Sequence, residues 1–216
     1  GAEVPFDFRG DYWHIAIEEK IPHLGMGHLL KPFQKPHPPL AMSIVKPESM
    51  AARTAGRRGV IPISISMAPH HKAKRQWEIY CEGAAEGGQP APDRANWRIS
   101  RSIYVGESND EAREHCLEGA FARSLIYLRD IAIDSGIGDL SKKDEDMPDA
   151  AVGAEYLVDE IAVVGDADTV TEKLQPLYDD TGGFGTVLQI AHDWDDKAKM
   201  RKSMERLAKE VIPRLP

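Results

Sequence analysis

Short apolar runs alternate with longer segments of helical periodicity over most of the chain. The runs have the length of buried strands, and each is followed by a polar turn. The predicted strands are Leu40–Val45, Val60–Ser66, Arg98–Val105 and Thr186–Ile190, with a further short apolar run at Ile161–Val164. The pattern therefore predicts strand followed by helix, repeated four times.

Apolar residues recur at spacings of three and four between these strands, which predicts the helices. Pro47 suits the first turn of the first helix, and the boxes Ser108–Glu111 and Thr169–Glu172 are typical of helix starts. The predicted helices are Glu48–Ala55, Pro69–Gly87, 108 to about 131, 169 to the glycines at 182–183, and Ala198–Val211 with Met200, Met204, Leu207 and Val211 on one face.

Three segments fall outside the alternation. Residues 6–17 alternate apolar and polar positions around Arg9-Gly10-Asp11, which predicts a hairpin. Residues 21–39 hold five prolines, too many for a helix or a central strand. Residues 134–153 are polar and charged, and we expect a mobile excursion there.

Alternating strands and helices predict an α/β fold with parallel strands and helical crossovers. Two architectures fit: an open doubly wound sheet, or part of an eight-stranded barrel. No Gly-x-Gly-x-x-Gly follows a strand, so a dinucleotide site is unsupported. Four barrel strands leave two unpaired edges, which proteins rarely tolerate. In a barrel, the other strands would lie on another chain, or this chain would be a fragment.

The composition narrows the class of protein. A chain of 216 residues fits a single domain over 1–216, and it contains no apolar run of membrane-spanning length and no signal peptide at its start. The net charge of −8 argues against nucleic acid as a partner. The basic residues of 72–75, with Arg57 and Arg58, could bind a phosphate but are too few to bind a nucleic-acid duplex.

We expect Cys81 and Cys116 to be buried reduced thiols of a cytoplasmic protein.

Seven segments in register resemble the luciferase-like flavin-dependent monooxygenases. They are FRGDYWHI, LKPFQKPHPPLAMSI, PESMAARTAGRRGVIPISIS, WRISRSIYVGESNDEA, VVGDADTVTEKL, GGFGTVLQIAHDW and MERLAKEVIPRL. Their order resembles the C-terminal half of that family, and its limonene-monooxygenase-like and alkanal-monooxygenase-like members most of all. The resemblance covers essentially the whole chain.

The resemblance implies a (β/α)8 TIM barrel of which this chain holds about the C-terminal half, strands five to eight. It implies reduced FMN as the cofactor, O2 and a small organic substrate, a flavin reductase as partner, and a homo-oligomer or pairing with the missing half. Two alternatives stay open. One is a reductase or dehydrogenase using the deazaflavin F420, and the other is a non-catalytic half-barrel that binds flavin and pairs with a partner chain.

Barrel active sites lie at the carboxyl ends of the strands, which selects the loops that could carry chemistry. At Val45–Ser49 the family receives the flavin phosphate, and a helix start suits an anion. We assign Ser49 as the hydroxyl donor and Lys46 as a counter-charge, although relatives often carry a small hydroxyl residue where Lys46 stands. The alternative is an ordinary strand-to-helix turn.

The second loop follows the strand that ends at Ser66. The resemblance implies that Ser66 and Met67 form part of the flavin or substrate pocket. His70 and His71 suggest a metal at first sight, but adjacent ligands usually diverge and no partner has the usual spacing. We expect them to be helix-start or surface histidines, and we expect no metal.

The third loop, Gly106-Glu107-Ser108, is assigned no catalysis. In the fourth, His192 is the acid–base candidate because the pKa of a histidine lies near neutrality, and Trp194 could pack over the flavin ring. The alternative is that His192 and Asp193 only cap the last helix. Residues 182–185, Gly-Gly-Phe-Gly, look like a phosphate cradle but precede their strand, so we expect a helix end on the opposite rim.

Overall fold

A computed structural model of the chain describes residues 4–24, 32–46, 48, 50–192 and 195–216. The chain divides into two compact units, Gly1–Pro39 and Leu40–Pro216. In the first unit, β1 (Phe6–Arg9) pairs antiparallel with β2 (His14–Ile17), with Phe6 opposite Ile17. The predicted hairpin is confirmed. A short 3-10 turn, Pro22–Leu24, follows it.

The second unit is an α/β structure built on a five-stranded parallel sheet. Its strands are β3 (Ala41–Ile44), β4 (Ile61–Ser64), β5 (Arg98–Val105), β6 (Val163–Gly165) and β7 (Thr186–Ile190). The order is β3-β4-β5, after which β5 pairs with β7 along its first half and with β6 at its carboxyl end. The predicted parallel strands are confirmed, but the first two end one and two residues earlier than predicted.

Helices follow the strands as crossovers. They are α1 (Met50–Arg57), α2 (His70–Glu86), α3 (Asn109–Glu118), α4 (Ala120–Asp134), α5 (Ala154–Tyr156), α6 (Ala167–Thr181) and α7 (Lys197–Arg206). Turns of π-helix, Leu157–Ile161 and Leu207–Val211, continue α5 and α7. Among the described residues, no helix is long and apolar enough to cross a membrane.

Three predicted helices are corrected in their bounds. The first begins at Met50 rather than Glu48, while Pro47 lies outside the described residues. The third is two helices, because the backbone at Gly119 is extended and breaks the hydrogen-bond ladder. The fourth begins at Ala167, because the carboxylate of Asp166 accepts the hydrogen bond from the Thr169 backbone N–H. Asp166, not Thr169, is therefore the N-cap.

Ser108 caps α3 as predicted, since its hydroxyl accepts from the Glu111 backbone N–H at 3.2 Å. On the last helix Met200, Leu207 and Val211 are buried, whereas Met204, predicted on the same face, is 48% exposed. Cys116 is buried as predicted, whereas Cys81 is half-buried.

The face of the sheet that carries Met42, Ile99, Ile103 and Val187 packs against helices. These side chains share a core with Trp77 of α2 and with Val170, Leu174 and Leu177 of α6. Because strand side chains alternate, the pairing register places Ser43, Ile63, Ser100, Leu188 and Ser102 on the other face. On that face Ser43 is exposed, and Ile63 and Leu188 are half-buried. Ser100 and Ser102 are buried, so the second unit has one helix-covered face and one face that its own helices leave more open around Ser43, Ile63 and Leu188.

The glycines at 182–185 lie at the amino end of the sheet. Gly182 ends α6 in the left-handed conformation, with φ of 77°, and the Gly185 N–H donates to the Trp97 carbonyl just before β5. Arg94 donates to the carbonyls of Thr181 and Gly183, which holds this helix end in place. The prediction of a helix end rather than a phosphate cradle is confirmed.

Residues 134–153 form an excursion between α4 and α5 that contains two 3-10 turns, Gly138–Ser141 and Asp149–Ala151. Leu140 and Val152 are buried. The Lys72 ammonium donates to the Asp139 carbonyl at 2.6 Å, which ties the excursion to α2. Its mobility stays a prediction.

Candidate active site at the carboxyl ends of the strands

The carboxyl ends of β3, β4 and β7 bring the described candidate residues to one edge of the parallel sheet. Lys46 follows β3, Ser66 and Met67 follow β4, and His192 follows β7. Ser49 and Trp194, the other two predicted site residues, lie outside the described residues. The edge is the location where barrel enzymes and open α/β sheets both place their sites.

Lys46 is half-buried beside a cavity of about 300 Å³. The cavity is lined by basic side chains, Lys46, His71, Lys72 and Arg75, and by acidic ones, Glu48, Asp139 and Glu145. Lys72 is held by Asp139, and Arg75 by Glu78 and Glu82. Lys46 forms no ion pair with any described residue, so its charge is available to an anion.

Gln76 of α2 holds the backbone that leads to Lys46. Its side chain is fully buried, and its Nε2 donates to the carbonyls of Ile44 and Val45 at 3.2 and 2.9 Å. Its Oε1 accepts no hydrogen bond from the described residues. Sequence reasoning missed this residue, because a glutamine within a helical pattern is usually solvent-exposed.

Ser66 and Met67 are both buried, but they lie in a turn rather than in the strand. Met67 packs in a second core cluster with Tyr104, Cys116 and Phe121. The structure thus brings Met67 into contact with the α3–α4 layer. Its predicted place in a flavin pocket stays a prediction, as does that of Ser66.

His192 is the candidate with the most defined surroundings. Its Nε2 lies 3.1 Å from the Ser102 hydroxyl of β5, and its ring meets the edge of Phe121 at 6.1 Å between centroids. Ser102 is 1% exposed. Burial lowers the pKa of His192, so the imidazole is neutral at neutral pH. A neutral imidazole that is hydrogen-bonded on one nitrogen can accept or donate a proton at the other.

Sequence reasoning missed Ser102. A signal was present, since Ser100 and Ser102 are alternate residues of the predicted strand and therefore lie on the same face of it. His70 was interpreted correctly as a helix-start histidine: it opens α2, and its Nδ1 lies 2.9 Å from Asp180.

The partial burial of the His192 imidazole predicts that the free energy of unfolding depends on pH. The folded pKa of His192 is below the unfolded value near 6.5, so the unfolded state binds more protons between the two. We expect the free energy of unfolding to fall as the pH drops below about 6.5. Denaturant titrations of the wild type and of His192→Gln at several pH values test this. The prediction would be contradicted if the free energy of unfolding changed equally with pH in the two proteins.

Comparison with known proteins identifies the family. A sequence profile described as Luciferase-like monooxygenase matches residues 2–183. The 3,6-diketocamphane 1,6-monooxygenase of Pseudomonas putida is 34% identical over 98% of this chain and 57% of its own length. The chain belongs to the luciferase-like monooxygenase family. The predicted resemblance is confirmed.

Two further similarities agree with this family. A solved structure of the oxygenating constituent of 3,6-diketocamphane monooxygenase from P. putida, a Type II Baeyer-Villiger monooxygenase in complex with FMN, superposes with a TM-score of 0.79 at 33% identity, covering 98% of this chain and 58% of that one. Limonene 1,2-monooxygenase of Rhodococcus erythropolis is 29% identical over 66% of this chain and 34% of its own. The chain therefore spans about half the length, or less, of these luciferase-like relatives.

Proposed function

We propose that this chain is part of an FMN-dependent monooxygenase that uses O2 to oxidise a small organic substrate. The observation that carries the proposal is the grouping of Lys46, Ser66 and the Ser102–His192 pair at the carboxyl edge of the sheet, in a member of the luciferase-like family. The similarity to an enzyme solved with FMN supports the choice of cofactor.

The described residues fit a flavin phosphate. Lys46 is a half-buried cation without an ion pair among the described residues, whereas Lys72 and Arg75 of the same cavity are paired with carboxylates. A phosphate in such surroundings gains charge-assisted hydrogen bonds. Lys46 would hold the phosphate, and the predicted donor Ser49 would join it. Reduced FMN, when bound, supplies the electrons with which O2 is activated.

His192 would move a proton during the reaction. Its Nε2 is engaged by Ser102, so the remaining ring nitrogen, Nδ1, is the one that can exchange a proton with a substrate. Phe121 and the buried Met67 exclude water from the surroundings of this edge. Exclusion of water strengthens each polar interaction within a site. Trp194 is proposed to pack over the flavin ring.

We further propose that the four strands β3, β4, β5 and β7 are the C-terminal half of a barrel. In the described part of the chain, β3 pairs only with β4, and β7 only with β5, so each leaves one edge open. The more open sheet face also carries apolar side chains, among them Ile63 and Leu188. A barrel closes both edges and covers that face. The other strands would come from outside this sequence, in the same polypeptide or a partner chain.

The cofactor proposal is tested by titrating the protein with FMN and with riboflavin. Removing the Lys46 charge takes away one charge-assisted hydrogen bond, so we expect Lys46→Ala to weaken FMN binding roughly tenfold. Riboflavin, which lacks the phosphate, should bind both proteins equally. Flavin fluorescence measures both affinities.

The exposed Lys209 gives a matched control, and Lys209→Ala should leave FMN binding unchanged. Equal loss of FMN and riboflavin affinity in Lys46→Ala would refute the phosphate assignment. Binding of F420 in place of FMN would favour hydride transfer over oxygenation.

A further inference from the structure

A cavity of about 590 Å³ lies on the helix-covered side of the sheet, and neither Lys46 nor His192 lines it. Its wall includes Pro69 and His70 at the start of α2, Arg101 of β5, and Lys173 and Leu177 of α6. Arg101 shares its face of β5 with Ile99 and Ile103, which pack on α6. This cavity is therefore separated by the sheet from the face that carries Ser102.

Arg101 is a buried cation without a carboxylate partner. It is 2% exposed, and its guanidinium donates to three backbone carbonyls, those of Ile65, Ser100 and Ala68, at 3.3, 2.8 and 3.1 Å. Burial lowers its pKa to about 10. Carbonyl dipoles satisfy some of the N–H groups, but no described anion balances the charge. A buried charge in this position is costly unless an anion joins it.

Lys173 is a second cation at the cavity, half-buried rather than buried, and it also has no carboxylate partner among the described residues. Its ammonium donates to the carbonyls of Val164 and Asp159, at 3.1 and 3.4 Å, and to no described carboxylate. Burial lowers its pKa, although Asp159 and Glu160 act in the opposite direction. Like Arg101, it faces the cavity with a charge that the neighbouring backbone only partly satisfies.

The acidic side chains around the cavity are largely taken by other cations. Asp159 forms a two-point pair with Arg113, Glu160 pairs with Lys143, and Asp180 pairs with His70. Glu172, the fourth, is exposed to solvent. No described carboxylate therefore pairs directly with Arg101 or Lys173, although Asp159 and Glu160 act on Lys173 from a distance.

The start of α2 adds a third attraction for an anion. The helix is 17 residues long, and Pro69 before it has no side chain that can cap the first turn. Its first turn contains no acidic residue. Free N–H groups and the positive end of the helix dipole favour an anion at this point.

We propose that this cavity binds an oxyanion, a phosphoryl or carboxylate group of a small molecule, between Arg101 and Lys173. The site differs from the proposed flavin phosphate site in the cations that would hold the anion, which are Arg101 and Lys173 rather than Lys46, although His71 borders both cavities. Its volume lies in the range of small-molecule sites, so the bound anion can be one end of a larger ligand.

The test is a calorimetric titration of the whole chain with inorganic phosphate and, separately, with acetate. We expect saturable binding of at least one of them, with Kd of about 1 mM or tighter. Amide chemical-shift changes should be centred on 68–71 and on 159–164. Phosphate binding alone assigns a phosphoryl ligand, and acetate binding alone assigns a carboxylate.

Lys173→Gln removes one of the two charges without opening the core around Arg101. We expect it to weaken binding roughly tenfold, while the matched variant Lys209→Gln binds as the wild type does. FMN affinity should be the same in all three. The proposal would be overturned if neither anion bound saturably, or if the chemical-shift changes lay elsewhere in the chain. It would also be overturned if Lys173→Gln bound the anion as tightly as the wild type does.

Discussion

Gly83→Ala is expected to lower the free energy of unfolding by about 2 to 3 kcal/mol. Gly83 is buried where α2 crosses α1, and a Cβ at this position would lie 2.2 Å from the Arg53 carbonyl oxygen. Carbon and oxygen atoms that are not bonded rarely approach below about 3.3 Å. The obstacle is backbone rather than a flexible side chain, so the two helices must move apart.

Whether Gly83→Ala stabilises or destabilises the protein tests how closely the two helices pack. In an exposed helix, replacing glycine with alanine stabilises by about 1 kcal/mol. The clash must exceed this gain for the variant to be less stable. Gly56 makes the reciprocal approach, because its Cβ would lie 2.1 Å from the Tyr80 carbonyl oxygen. Both helices therefore depend on glycine at their crossing.

Guanidinium chloride denaturation measures the effect, with Gly153→Ala as the control. Gly153 has no atom within 4 Å of an added Cβ and has a negative φ of −85°, so we expect a change within about 0.5 kcal/mol. A Gly83→Ala variant more stable than the wild type would show that α1 and α2 pack less closely than described. The crossing matters for the site, because α1 follows the loop that carries Lys46.

The order of strands and helices was predictable from the sequence because its signals are local. The predicted strand Thr186–Ile190 has the observed bounds, since Gly185 before it and the loop after it limit a short apolar run. The N-cap of α6 was wrong for a physical reason: Asp166 and Thr169 are both good caps three residues apart, and only the backbone path from β6 selects the first. The break at Gly119 likewise depends on how α3 and α4 pack.

Contacts within the candidate site could not be read from the sequence in the same way. Ser102 and His192 are 90 positions apart, and they meet only because β5 and β7 pair with Ser102 opposite Ile190. The lack of a carboxylate beside Arg101 also follows from the folded arrangement alone. Local patterns identify which residues are chemically capable, and the register of the sheet decides which of them meet.

In the active enzyme that contains this chain, His192→Ala is expected to lower turnover by about 100-fold, on the proposed role of His192 in moving a proton. The reason is that no other described histidine lies at the carboxyl end of a sheet strand with a buried hydrogen-bond partner. Turnover with saturating flavin and substrate measures the effect. The exposed His37 supplies the matched control, and His37→Gln should keep full turnover.

Ser102→Ala separates a proton-transfer role from simple packing. Ser102 touches the imidazole and is proposed to position it, so its removal should shift the pH midpoint of turnover. The shift is toward higher pH if the hydroxyl donates to Nε2, because that bond stabilises the neutral ring, and toward lower pH if Nε2–H donates to the hydroxyl. A role in packing alone would reduce turnover in both His192→Ala and Ser102→Ala without moving the midpoint in Ser102→Ala. Unchanged turnover in His192→Ala would remove His192 from the reaction and leave it as part of the loop before α7.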